Sequence, residues 1–196
     1  MKAVIVLFFF TIFPICLLAQ IRLGIRDNKF VGVSYAYNKV WSIKLEESIF
    51  SEDFKYQYVR GYLNFEHRRE NVGIKLSPYY GIQWNGNFQD YGILCNAEYV
   101  YSHTFIIHGI LNPHKDTSFG YTTCYEIGGI LNATSNIGFC LCYRNIPEYR
   151  VTSKRIRAGM IFSEGRLMVA PLLSIPTDET IKNTRLLINF EWTFKG

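Results

Sequence analysis

Charge is scarce in this sequence: Asp, Glu, Lys and Arg make up 19% of its 196 residues. No Lys/Arg cluster stands out, and the formal net charge of +5 falls only to +4 without Lys2. That balance is too mild to draw nucleic acid. Nor does any stretch have the charged, aromatic-poor composition of a disordered segment. After residue 19 no apolar run is long enough for a spanning helix, which needs about 20 residues. The H-E-x-x-H, G-x-S-x-G, P-loop and G-x-G-x-x-G signatures are absent, which removes the common hydrolase, phosphoryl-transfer and dinucleotide motifs. The cysteines do not fall in tandem C-x-x-C pairs, so a zinc ribbon is excluded. No immunoglobulin-like Cys–Trp spacing is present either. An enzyme is therefore not expected, and neither a cofactor nor a metal is called for.

Phe and Tyr are abundant, at 15 and 14 residues. Lys2, the apolar run Ala3–Phe13, Pro14 and the end Leu18-Ala19-Gln20 have the order of a secretory signal. Residues 1–19 are thus expected to be a cleaved signal peptide, and residues 20–196 one exported domain. Four cysteines remain in that domain: Cys95, Cys124, Cys140 and Cys142. A Cys124 disulfide to Cys140 or Cys142 is open; the simpler expectation is that all are small filler residues.

From Gln20 onward, apolar and polar residues alternate. Examples are Ile21/Leu23/Ile25, Trp41/Ile43/Leu45 and Leu186/Ile188/Phe190/Trp192/Phe194. Period-two hydrophobicity broken by turn residues marks strands with one apolar face. Turn signals divide the chain into an expected twelve strands: 21–26, 30–37, 40–46, 54–66, 71–84, 88–101, 104–111, 118–132, 137–144, 149–162, 166–174 and 184–195. Ten strands is the alternative count if the short first three merge. The connections alternate between two ends, which describes an all-β, up-and-down antiparallel barrel closed so that no edge is exposed.

Fifty apolar-phase positions on these strands carry no Lys, Arg, Asp, Glu or His. At the density of the whole chain, about nine charges would fall there. A midplane Arg or Lys on a lipid-facing strand costs roughly 2–4 kcal/mol, which accounts for the exclusion. The opposite phase holds nine basic and six acidic residues. Arg22, Lys44, Arg60, Glu66, Lys75, Glu98, Glu126, Arg144, Arg155, Arg157 and Glu191 are its expected lumen-lining members, forming a channel wall or a salt-bridge network. Trp41, Tyr99, Tyr101, Trp192 and Phe194 gather on the apolar phase near one set of turns, as an interfacial aromatic girdle does. Of the histidines, His67 and His103 are expected in turns, His114 in a loop and only His108 in a strand. The four acids of Glu46–Asp53 read as a solvated loop.

The leader end, the hairpin series and the last strand Leu187–Phe194 together resemble the small bacterial outer-membrane β-barrel proteins. The resemblance implies a transmembrane barrel in the bacterial outer membrane, with outer-membrane lipids as its surroundings. It also implies that the barrel-insertion machinery reads the C-terminal strand. Many members end on the aromatic itself, whereas Lys195 and Gly196 follow Phe194 here. Because open aqueous channels are typical of about 16–18 strands, a charged, largely filled lumen is expected. The expected role is a structural or interaction barrel without catalysis. A narrow channel for small anionic solutes is one alternative, and a soluble secreted β-sandwich adhesin is another.

Overall fold

The computed structural model describes residues 20–48, 58–83, 87–118, 120–145, 154–178 and 181–195. The expected signal peptide and residues 49–53 of the acidic segment lie outside them. Twelve strands form: β1 (Gln20–Arg26), β2 (Phe30–Ala36), β3 (Trp41–Ser48), β4 (Tyr58–Arg69), β5 (Val72–Gln83) and β6 (Gln89–Ser102), then β7 (Phe105–Asp116), β8 (Gly120–Asn132), β9 (Ile137–Arg144), β10 (Arg155–Glu164), β11 (Leu167–Pro176) and β12 (Arg185–Lys195). Each pairs antiparallel with its sequence neighbours, and β1 pairs β12 to close the barrel. The count is twelve, not ten.

Strand ends near Gln20 and Lys195 are joined by tight turns, and this is called the terminus end. The opposite, loop end carries the other connections. The turn between β1 and β2 shows how local chemistry fixes one of these. Asp27 and Asn28 have φ of 57° and 56°, and Lys29 N–H donates to Arg26 O at 3.0 Å. Two successive positive-φ residues make a type I′ hairpin, whose twist suits flanking strands and whose preferred residues include Asn and Asp. At the terminus end, Gly165 (φ 59°) supplies the left-handed residue between β10 and β11.

Contacts between strands that are not neighbours decide which phase faces inward. Arg157 on β10 reaches Asp27, Arg26 on β1 reaches Glu46 on β3, and Tyr58 on β4 reaches Asp90 on β6. In a closed single-layer sheet such pairs meet only through the interior. The polar phase therefore points inward and the apolar phase outward, in register around the whole circle. Leu76, Ile93, Ile107, Leu111, Leu141 and Leu173 are among the exposed apolar side chains of this belt. So large an apolar surface exceeds what soluble monomers expose. One closed sheet also replaces the two stacked sheets of a β-sandwich, so the soluble-adhesin alternative does not hold. Among the described residues, charged side chains return to the outer face only near the strand ends: Glu47 and Lys115 toward the loops, His67, Arg69 and Glu164 toward the terminus end.

Several strands run past their expected ends. β3 continues to Ser48, β4 to Arg69, β10 to Glu164 and β11 to Pro176, and β7 runs five residues past the expected Leu111 to Asp116. Asn112–Thr117 reads as a turn segment, and its Pro113 cannot donate to a ladder. The structure keeps the strand and gives up pairing instead: the β6 ladder passes from His114 to Leu111 without Pro113. Pro78 and Pro171 interrupt the β4–β5 and β10–β11 ladders in the same way. His67 and His114 consequently lie in strands rather than in a turn and a loop. All four described cysteines are free. Cys142 sits opposite Gly128, four positions along β8 from Cys124. At about 3.3 Å per residue that separation is too long for a disulfide.

Candidate functional site in the barrel lumen

The two halves of the interior differ. At the loop end the inward side chains are packed: Glu46, Tyr58, Tyr79, Asp90, Arg155 and Arg157 are each 5% exposed or less. Toward the terminus end the interior charges are open to solvent. Arg22 and Glu191 keep 45% and 39% of their side-chain surface, and Arg68 and Glu98 keep 54% and 32%. The expectation of a largely filled lumen describes the loop half alone.

The packed half is a ring of arginine, tyrosine and carboxylate groups. Arg60 donates from Nε to Tyr58 Oη at 2.6 Å and from Nη1 to Tyr62 Oη at 3.2 Å. Its guanidinium lies 4.5 Å from the Tyr79 ring centroid and pairs with Asp90, which also accepts from Tyr58. Tyr62 in turn donates to Glu46 Oε2 at 2.8 Å, and Glu46 accepts from Arg26 at 3.0 Å and Lys44 at 2.5 Å. Tyrosines suit this position because each offers an apolar ring to a neighbour and a hydroxyl to a charge.

Arg157 holds Asp27 in a two-point grip, Nη1 to Oδ1 at 2.9 Å and Nη2 to Oδ2 at 3.1 Å. Burial alone would raise the Asp27 carboxyl, but Arg26, Arg157 and Arg144 outweigh it and hold it below the usual carboxylate range. Arg155 donates to Ser174 Oγ at 2.7 Å and to the backbone oxygens of Ser174 and Asn183. Arg144 Nε lies 3.4 Å from Glu126 Oε2, whose other oxygen is 3.2 Å from His108 Nε2.

In the open half, Arg22 lies 3.8 Å from Glu191, Arg68 contacts Glu98, and Glu66 stands opposite Lys75 in the β4–β5 register. The structure thus splits the expected lumen residues into two groups. Lys44, Arg60, Glu126, Arg144, Arg155 and Arg157 belong to the packed half and its border, while Arg22, Glu66, Lys75, Glu98 and Glu191 belong to the open half. Arg68, Asp27 and Asp116 were assigned to turns or a loop, yet they sit with the interior charges. Among the described side chains they bring the inner face to ten basic and eight acidic residues. Continued alternation through positions 112, 114 and 116 was the signal for Asp116; nothing local marks Asp27.

On the outer face Trp41 stacks near Phe65 at 4.6 Å between centroids, and Trp192 lies 6.4 Å from Phe194. Tyr99 and Tyr101 are exposed at the same end. At the loop end Tyr80 stands opposite Tyr91, and Lys115 Nζ lies 5.0 Å from the Tyr121 ring centroid.

No protein-family model matches the chain, and no curated protein sequence does. Solved structures do match in shape. A KdgM porin in complex with disordered oligogalacturonate aligns with a TM-score of 0.65 at 8% identity, covering 90% of this chain and 98% of that one. The NanC porin aligns at 0.54 and 8% identity over 89% and 97% of the two chains. The outer membrane protein Omp33 of Acinetobacter baumannii aligns at 0.53 and 7% identity over 91% and 98%. At such identities the likeness is one of fold: the chain is a closed twelve-strand β-barrel of the architecture found in small bacterial outer-membrane porins.

Proposed function

We propose that this protein is a narrow, weakly anion-preferring channel of the bacterial outer membrane, with no catalytic role. One observation carries the reading. A polar lining runs the length of a lumen whose charges are solvent-exposed at the terminus end and packed into an Arg–Tyr–carboxylate ring at the loop end. A barrel serving only as a scaffold has no need of half-exposed charges such as Arg22 and Glu191 inside it. The slight excess of basic residues favours anions, and the many paired carboxylates keep that preference weak. Conduction needs binding strong enough for entry and weak enough for release. Guanidiniums already paired with Asp90, Glu46 or Asp27 meet that condition, because an arriving anion competes for them and cannot hold them. The KdgM porin bound to oligogalacturonate, a polymer of carboxylated sugars, supports anionic solutes as the class carried. The outward apolar belt supports lipid as the surrounding medium, with the termini on the periplasmic side.

Planar-bilayer recording of the folded protein tests this. The expected result is a small steady conductance whose reversal potential in a salt gradient favours anions. Arg60→Gln is expected to move that potential toward cations. A second reading, a closed structural barrel, is favoured by the pairing of Asp27, Glu46, Asp90 and Glu126 across the constriction. A correctly folded barrel without conductance would overturn the channel and leave that second reading.

A further inference from the structure

The lumen brings together one group of side chains that the charge network does not explain. His108 on β7, Glu126 on β8 and Cys142 on β9 place a ring nitrogen, a carboxylate oxygen and a thiol sulfur within 4.8 Å of one another. Their positions follow from the register. His108 is opposite Gly128, and Gly128 is opposite Cys142. The row therefore reads His–Gly–Cys across three strands, and the side chains from β7 and β9 lean over a residue that has none. Glu126 is the next inward residue on β8. A Cβ at Gly128 would overlap the Cys142 side chain and come within 2.6 Å of Leu141 O. The empty space over Gly128 is thus a requirement for the three groups to converge.

We propose that His108, Glu126 and Cys142 form a binding site for a borderline-soft divalent cation of the Zn(II) class. One imidazole, one carboxylate and one thiolate match the donor types that such ions take, and a thiolate selects against Mg(II) and Ca(II). Three protein ligands leave the fourth tetrahedral position to water from the lumen. Bond lengths of about 2.0–2.3 Å put the donors of a tetrahedral zinc site roughly 3.3–3.8 Å apart. The His108 Nε2 to Glu126 Oε1 distance of 3.2 Å is already near that value.

The groups that would orient these ligands are also in place. Arg144 Nε lies 3.4 Å from Glu126 Oε2, the oxygen left over when Oε1 takes the ion. His108 Nδ1 and Asn96 Oδ1 are both buried without a hydrogen-bond partner. Asn96 faces the lumen one inward position from Glu98, the residue opposite His108, so the two are diagonal neighbours in the β6–β7 ladder. Diagonal side chains are within reach of each other. An imidazole bound through Nε2 carries its proton on Nδ1, and donating it to Asn96 Oδ1 satisfies both orphaned atoms. Binding releases the Cys142 thiol proton to solvent, and the thiolate and Glu126 together neutralise the ion.

The test uses the full barrel folded in detergent, with heat-modifiable gel migration as the folding control. Equilibrium dialysis against Zn(II) is expected to leave one equivalent bound. Asn96→Ala is expected to weaken binding about 10- to 100-fold, and Cys142→Ser and His108→Ala to abolish it. Co(II) is expected to give a thiolate charge-transfer band that survives Cys140→Ser and vanishes in Cys142→Ser. Without any variant, Zn(II) is expected to protect Cys142 of the wild-type protein from alkylation. Unprotected Cys142, wild-type binding equal to that of folded Cys142→Ser, or a band that persists in that variant would overturn the site. None of these readouts depends on whether the barrel conducts.

Discussion

Asp27→Asn separates charge from shape at the point where the β1–β2 turn meets the far wall. Asparagine has the same size, tolerates the φ of 57° at this position and can still accept a hydrogen bond. What it lacks is the negative charge gripped by Arg157 at 2.9 and 3.1 Å. Both partners are almost fully buried, at 4% and 5% exposure. Removing one member of a buried pair typically costs 3–5 kcal/mol, because the other charge stays behind without its counter-ion. The retained hydrogen bond puts the expected loss near the lower figure, about 3 kcal/mol, or more than a hundredfold in the folding equilibrium. Urea unfolding of the protein in lipid vesicles, followed by tryptophan fluorescence, measures it. The pH dependence has a fixed sign. A carboxyl lowered in the folded state stabilises fully above its unfolded value of about 3.9 and loses that contribution as pH falls through its lower folded value. Wild-type stability is therefore expected to decline below about pH 4, with part of that decline missing from Asp27→Asn. A variant within about 0.5 kcal/mol of wild type at neutral pH would refute the account, since that is the range of ordinary surface substitutions.

Two further substitutions probe the wall and the constriction. Leu76 lies midway along β5 on the outer face, so Leu76→Arg is expected to destabilise the vesicle-embedded barrel by roughly 2–4 kcal/mol in the same urea experiment. A cost near zero would mean that lipid does not cover this belt. Gly81 lies against Tyr58 Oη and Asp90 Oδ1 with no room for a Cβ. Gly81→Ala is expected to push Tyr58 off Asp90, cost about 1–3 kcal/mol and alter single-channel conductance. Unchanged conductance would show that the Tyr58–Arg60–Asp90 ring is not the narrowest point.

Much of the barrel was legible because its two faces meet different media. Turn signals divided the chain into twelve strands, with ten left open, and exclusion of charge from one phase told which face of each strand meets the outside. Strand ends were less legible. Pro113 reads as a terminator, but an outward proline in a wide sheet interrupts the ladder on one side for two residues and leaves the rest of β7 in place. That misreading hid His114 and Asp116 from the interior. Asp27 was hidden for another reason: a turn residue with positive φ looks like plain hairpin chemistry, and its role depends on Arg157 from β10. The His108–Glu126–Cys142 group is invisible to spacing rules. Its members sit on three strands, and the residue that lets them meet is a glycine.

The meeting of β1 and β12 has a consequence for how the molecule is assembled. Eleven of its ladders join strands adjacent in sequence and can form as hairpins, one after another. The twelfth joins opposite ends of the described chain through six residue pairs, Gln20↔Lys195 to Ile25↔Phe190. Beyond them the Asn28 carboxamide takes over, accepting from Ile188 N–H at 2.8 Å and donating to Leu186 O at 3.1 Å, as a further strand residue would. Until this zip engages, the sheet has two raw edges, and the entropy of joining them is not recovered by any local contact. Closure is therefore expected to come after the hairpins, and a side-chain amide extends it.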